Sequence, residues 1–502
     1  MKRAMMLLSA ALVSSRALAA PTIVALPPTH DATVSLAIQF RSGAVDDPPG
    51  KAGLTQLTAT LMAEGGTAKL DSKQLLEALF PMAAHLRARV DKQLTTFQTT
   101  VHKDHLAQMT ELLTDVVAHP RLREEELSRL RDAALNDVEK RLRQEDDENL
   151  GKEALAELLY RGHPYGRITD GHLADLRSIT LADVKAQAAR VFTRDRLIIG
   201  VAGDYPPELP QKLATALSGL PESGAPPVAI AQQKPAARHI QIIDKDTAST
   251  AVSIGFPWQL SRRDPDFVAM TVARSAFGEH RQFNGRLMQR LREARGLNYG
   301  DYAYVEHFVQ EGWEASTAQT GRVRNQQDFT MWLRPVQNEN RLFALKAALY
   351  ELDRSLTDEP FSDEEVESTK SFLAGYTLLF AQTQARKLGY ALDDRFLGTD
   401  DFLREWQTKV AQVTPAQVNA AWRKWVDPKH AQIVIVTPNA AEVKKALVAN
   451  QPTPIHYQKD AQGSSPARPA ALLAADAKIE RFPLGVKSAA DVDVISVEKM
   501  FE

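Results

Sequence analysis

The chain is predicted to be α+β, built as two domains of one design. Three observations predict this. Short runs of alternating apolar residues are interleaved with longer segments of helical periodicity. A stretch rich in proline and small residues at mid-chain, from Pro221 to Arg238, has no periodicity and reads as a linker. The programme of elements before it recurs after it, at a spacing of about 215–240 residues, which is too long for a solenoid. The expected parts are a removable leader over 1–20, a first domain over 21–220, a linker over 221–238, a second domain over 239–449 and an extended tail over 450–502.

The elements follow in order. Residues 1–20 carry a basic start (Lys2, Arg3), an apolar run from Ala4 to Val13 too short to cross a membrane, and small residues at Ala17 and Ala19, the pattern of an export signal. Thr22 to Leu26 and Thr33 to Phe40 read as strands, the second strictly alternating. Asp46 to Gly50 is a turn. Leu54, Leu57, Leu61 and Met62 mark a helix ending near Gly65 and Gly66, and Asp71 caps another through Leu79. Leu86 to Val101 is a strand pair broken near Asp91. Leu106 to Val117 is a helix closed by Pro120. Glu124 to Glu148 is charge-dense and reads as a solvated helix face. His163 to Gly166 is a turn, Thr180 caps a helix to Phe192, and Leu197 to Val201 is a strand.

After the linker, Thr250 to Phe256 mirrors Thr33 to Phe40. The helix through Phe267, Met270, Val272 and Phe277 mirrors the one after Gly53. Ser362 opens a long helix, and Ile433 to Val436 mirrors Leu197 to Val201. In the tail, Ile479, Phe482, Leu484, Val492 and Ile495 are expected to anchor an otherwise draped segment.

The formal net charge of the 502 residues is −2, so no basic excess exists to neutralise nucleic-acid phosphates. Cysteine is absent, which excludes disulfides, thiolate nucleophiles and cysteine-ligated zinc. Once the leader is removed, no run of about 18 apolar residues remains to span a membrane. The protein is expected to be exported and periplasmic.

Phe283, Leu287 and Leu291 recur every four residues and predict one apolar stripe on a helix, stopped at Gly296 in a left-handed cap. Tyr299 opens the aromatic, alternating strand that follows. Arg292 in the last helical turn and Tyr299 at the strand start are both donors, able to converge on a carbonyl or a developing oxyanion. The alternative is that Arg292 answers the helix dipole and Tyr299 packs beneath it. Among the histidines, His102 and His105 sit at a helix start, while His163, His280 and His307 are unpaired in sequence.

Gly53 and Leu54 opening a helix, Gly65 to Thr67 after it, His163 to Gly166, and Arg292 seven residues before Tyr299 together resemble the insulinase/pitrilysin family of metallopeptidases across nearly the whole mature chain. The resemblance implies two homologous domains, each a mostly antiparallel sheet packed with helices, forming half of a clamshell around peptides. Active halves of that family carry H-x-x-E-H on the first-domain helix, two zinc ligands and a general base. Here Gln56, Ala59 and Thr60 stand at those positions. Amide and hydroxyl oxygens are poor zinc ligands, and alanine accepts no proton. A later glutamate is the third ligand of the family; Asn136, Asp137 and Glu139 lie in the corresponding stretch. Zinc is therefore expected in a partner subunit carrying H-x-x-E-H and not in this chain. In the family, the matching arginine and tyrosine act across the enclosure on the other half's substrate. The resemblance thus implies a non-catalytic, peptide-binding subunit supplying Arg292 and Tyr299, with β-addition of peptide at the strand after Tyr299 or near residues 317–320. The alternatives are a structural or assembly protein, or a peptide-binding module, of the same fold.

Overall fold

The computed structural model describes residues 21–280, 282–309, 320–458 and 467–502. The expected leader and positions 317–319 of the expected peptide edge lie outside them. Strands β1 (Thr22–Ala25), β2 (Thr33–Phe40), β3 (Arg87–Val90), β4 (Thr95–His102) and β5 (Leu197–Gly203) form one sheet, in the order β1-β5-β2-β4-β3. The second sheet contains β6 (Ile240–Asp244), β7 (Ser249–Trp258), β8 (Asn298–Tyr304), β9 (Gln327–Gln337), β10 (Gln432–Thr437) and β11 (Val492–Ser496). Its order is β11-β6-β10-β7-β9-β8. Without β11 the two sheets have the same order, strand for strand. In each, the first strand pairs in parallel with the last strand of its own set, and the remaining pairs are antiparallel. The internal repeat read from the sequence is thus a repeat of topology.

The same core is built twice. On β2, Val34, Leu36, Ile38 and Phe40 point to one face, as period two requires, and pack into the first domain's own core. Phe40, Phe97 and Phe192 meet there with ring centroids 5.1–6.3 Å apart. In the second domain Phe256, Phe329 and Trp422 meet likewise, at 5.1 and 5.9 Å along the chain of contacts. Trp422 sends its indole N–H to Ser355 Oγ at 2.8 Å, so its burial leaves no donor unmet. Helix starts are fixed by side-chain caps: Asp71, Thr180, Ser362 and Thr414 each accept the backbone N–H three residues on.

The opposite faces of the sheets are covered by exchange. Helix Asp147–Leu159, from the first domain, lies on β7 and β10 of the second. Its Leu150, Ala154, Leu155 and Leu158 share a core with Ala251, Val434 and Val436. Helix Gln384–Leu397, from the second domain, lies on β5, β2 and β1 of the first, and its Leu388 and Leu392 pack on Ala37, Ile198 and Ala202. Each large side chain so buried contributes roughly 1.5–3 kcal/mol. Polar ties reinforce the exchange: Arg334 pairs with Glu148 at 2.9 Å, and Tyr160 donates to Gln327 O and Asp328 Oδ1, both at 3.1 Å.

Two expectations need correction. The tail is not draped: helix Ala470–Ile479 packs by Ile479, and β11 pairs with β6 as an edge strand, burying Val492 completely. Phe283 does not belong to the buried stripe. The helix begins after it, Leu287 and Leu291 are fully buried, and Phe283 is 55% exposed.

The exchange requires helix and sheet to approach closely at Gly151. A Cβ there would sit 3.1 Å from Ser253 Oγ and 3.5 Å from a Val436 methyl. Gly151→Val is expected to destabilise the chain by roughly 1–3 kcal/mol through overpacking, read as a lower urea midpoint.

Candidate functional site

Helix Leu54–Glu64 carries the three positions of the altered zinc motif. Asp47 fixes its start, accepting the N–H of Gly53 at 2.9 Å, the N–H of Thr55 at 2.8 Å and the Thr55 hydroxyl at 2.5 Å. Burial outweighs these bonds and raises the Asp47 carboxyl to about 7. One turn on, Gln56 Nε2 donates to Thr60 Oγ1 at 3.1 Å, so the side chains at the two histidine positions hold each other. Ala59 is fully buried.

Of the candidates for a third ligand, Asp137 is the one that lines the same cavity as Gln56. It stands in a π-helical stretch, Asp137–Glu145, and its carboxylate is held by Arg141, with one contact at 2.6 Å. An amide, a hydroxyl, a methyl group and a carboxylate already paired with a guanidinium do not make a zinc site. Among the described residues no group of three or more His, Asp or Glu side chains is placed to hold a metal ion. The run from Glu124 to Glu148, expected to be a solvated face, instead turns Asp137 and Arg141 into the cavity.

That cavity encloses about 380 Å³ and is walled by charge. Arg324 clasps Asp91 with two bonds, at 2.6 and 2.8 Å, and Arg322 stands 3.7 Å from the same carboxylate. Burial alone would raise Asp91; the Arg324 guanidinium overrides it and holds the carboxyl well below the usual range. Lys92 donates to Arg167 O and is pushed down by burial and then by Arg324. The same two causes hold His307 well below its ordinary value, so its imidazole is neutral. Glu153 and Asp170 are raised, chiefly by burial. Sequence reasoning missed this wall, because Asp91 and Arg324 are 233 positions apart and neither stands in a motif.

Arg292 and Tyr299 are brought together, but not in that cavity. The helical turn Met288–Glu293 is also π-type, with Ala294 N–H bonded to Gln289 O at 3.0 Å. Gly296 closes it at φ +66°, donating to Arg292 O at 2.7 Å while Leu297 donates to Leu291 O at 3.2 Å. β8 then starts, with Tyr299 62% exposed. The Arg292 guanidinium lies 5.0 Å from the Tyr299 ring centroid and 5.2 Å from that of Phe283. It is stacked between two exposed rings, a cation–π arrangement that orients its plane without consuming its N–H donors. Among the described residues its ion-pair partner is Glu293, at 3.6 Å. Beneath it, Asp301 is fully buried; burial raises its carboxyl to about 8, against the bond from Asn298 and the charge of Arg292. Asp301 is therefore largely neutral at pH 7, which leaves Glu293 as the charged partner of Arg292.

Comparison with known proteins agrees with this architecture. Residues 23–171 match the family described as Insulinase (Peptidase family M16), and residues 178–373 match the Peptidase M16 inactive domain. The chain belongs to the peptidase M16, or insulinase, family. It is 26% identical over 217 residues to a probable mitochondrial-processing peptidase subunit beta of Arabidopsis thaliana, covering 42% of this chain and 40% of that one. It is 25% identical over 283 residues to a non-peptidase homolog of Helicobacter pylori, covering 54% and 63%. The chain thus spans less than two thirds of either relative. A crystal structure of a peptidase M16 inactive domain from Pseudomonas fluorescens superimposes with a TM-score of 0.72 at 23% identity, over 83% of this chain and 95% of that one.

Asp301 yields a signed pH dependence. Its folded value, about 8, lies above the ordinary 3.8, so its contribution to stability is complete below about pH 4 and is lost as pH rises toward 8. Asp301→Asn removes that loss. The variant's stability relative to the parent is expected to increase by about 1.4 kcal/mol per pH unit between about pH 4.5 and 7.5. Urea denaturation across that range measures it, and a pH-independent difference would mean that Asp301 is ionised in the fold.

Proposed function

We propose that this chain is the non-catalytic, substrate-binding subunit of an exported heteromeric zinc metallopeptidase, which supplies Arg292 and Tyr299 to peptide held at a partner's zinc site. The observation that carries the proposal is the exposure of Tyr299 with the half-buried Arg292 guanidinium stacked on its ring. A tyrosine and an arginine retained for packing would be buried and bonded. Tyr299 is instead 62% exposed, and neither side chain has a hydrogen-bond partner among the described residues. Neither lines the cavity beside Gln56 and Asp137. The Tyr299 hydroxyl is thus left for a group outside this chain, as action on a second subunit's substrate requires.

The roles follow from the side chains. The guanidinium, its plane set by Phe283 and Tyr299, holds a peptide carbonyl. The Tyr299 hydroxyl donates to the scissile carbonyl oxygen as negative charge gathers there. Among the described residues β8, in which Tyr299 is the second residue, is an edge strand of the second sheet, so an extended peptide has backbone groups to pair with next to both donors. The altered motif supports dependence on a partner for metal and base. The naming of one relative as a subunit and of another as a non-peptidase homolog fits the same division. Export rests on the leader pattern; among the described residues no helix is long and apolar enough to cross a membrane.

In a complex reconstituted with an H-x-x-E-H partner, Tyr299→Phe and Arg292→Ala are each expected to lower kcat about 10²–10³-fold while leaving assembly intact. Equal turnover at equal assembly would overturn the proposal and leave a scaffold role. The purified chain alone is expected to hold no stoichiometric zinc by metal analysis after dialysis; one tightly bound zinc per chain would refute the account of Gln56, Ala59 and Thr60.

A further inference from the structure

The internal repeat produces a second cavity. The charged one is bordered by the helix Leu54–Glu64 and by the turn that follows helix Glu124–Asn136. Its counterpart is bordered by helix Phe267–Gly278 and by the turn that follows helix Asp363–Tyr376. His307 lines both, so the two spaces share a wall.

The counterpart has the opposite chemistry. Its walls are aromatic: Tyr304, Phe308, Phe380, Tyr390, Phe402 and Trp406. Its volume is about 70 Å³, several times the roughly 10–15 Å³ that a single water requires. That is room for one ring. Its arginines are ion-paired. Arg262 binds Glu306 at 2.8 Å and Asp393 at 3.3 Å, and Arg274 binds Glu279 Oε1 at 2.5 Å. Three buried polar atoms on lining side chains have no hydrogen-bond partner among the described residues: Arg274 Nε, Trp406 Nε1 and Glu279 Oε2. Trp406 Nε1 and Glu279 Oε2 belong to side chains only 3% and 4% exposed, and neither atom has a hydrogen-bond partner. Leaving a buried donor and a buried acceptor unmet is costly, and in folded proteins such atoms are answered by ordered water or by a bound group.

We propose that this cavity binds a hydroxylated aromatic ring, a phenol or the side chain of a tyrosine. The aromatic walls take the ring edge-on or face-on. The ring hydroxyl supplies what Glu279 Oε2 and Trp406 Nε1 lack, a donor for the Glu279 carboxylate and an acceptor for the Trp406 N–H. The proposal does not depend on the roles of Arg292 and Tyr299, which lie outside the lining of this cavity.

The test is calorimetric titration of the full mature chain with 4-methylphenol, with toluene, and with a short acetylated peptide containing one tyrosine. Saturable binding of 4-methylphenol at one site is expected, at least about tenfold tighter than toluene, because toluene leaves Glu279 Oε2 and Trp406 Nε1 unpaired. Trp406→Phe should weaken 4-methylphenol about tenfold and leave toluene unchanged. Thr271→Leu, which adds bulk to a lining position, should abolish both and covers the case in which the tryptophan variant does not fold. Binding of the peptide as well as the phenol identifies a peptide side chain as the occupant; binding of the phenol alone identifies a small aromatic molecule. Equal affinity for phenol and toluene, unchanged affinity in both variants, or no saturable binding would overturn the proposal.

Discussion

The structure depends on a reciprocal trade between its halves. Each sheet has one face buried by its own helices and the other by a helix borrowed from the opposite domain. A sheet exposed on one face would leave Ala37, Ile198 and Ala202, or Ala251, Val434 and Val436, against water. The borrowed helices Asp147–Leu159 and Gln384–Leu397 remove that surface. They also fix the domains rigidly enough for Asp91 of one to meet Arg324 of the other with both oxygens. The shared wall at His307 is a product of the same arrangement. Neither cavity would have its shape if the halves were free to turn.

Much of this was legible in the sequence, because it is written in local signals. Alternation marks Thr33 to Phe40 and Thr250 to Phe256 as strands, and capping residues at Asp71, Thr180 and Ser362 mark helix starts. The repeat follows from comparing those signals. The exchange does not, since an amphipathic helix looks the same whichever sheet it covers. Phe283 was misjudged because its spacing from Leu287 fits a helix that begins only after it. The strand Val492–Ser496 was missed because a short edge strand with polar outward residues resembles any tail. The spacing of Arg292 and Tyr299 is legible, but their stacking is not, for the second ring comes from Phe283, which the sequence places in the core.

The two cavities stand at equivalent places in the repeat and differ in chemistry. Around Gln56 paired charges line the space: Asp137 with Arg141, Asp91 with Arg324. Such pairs are weak contributors to stability because desolvation offsets much of their attraction, yet removing one partner leaves a buried charge alone. That asymmetry constrains later change at these positions. In the second domain the equivalent space is lined chiefly by rings.

The residues between Pro221 and Arg238 have no regular structure but are held along their length: Ala225 N–H donates to Arg190 O at 3.1 Å, His163 Nε2 to Ala231 O at 2.9 Å and Gln233 N–H to Gln326 Oε1 at 2.8 Å, and Val228 and Ile230 pack on the core shared by the two domains. The joining of the halves therefore resides in the borrowed helices and in the packing of this segment, and does not need the covalent connection. A protease cut in this segment should yield two fragments that stay together and remain folded. The two halves expressed from separate genes should find each other as a split protein, each incomplete until it receives the other's helix.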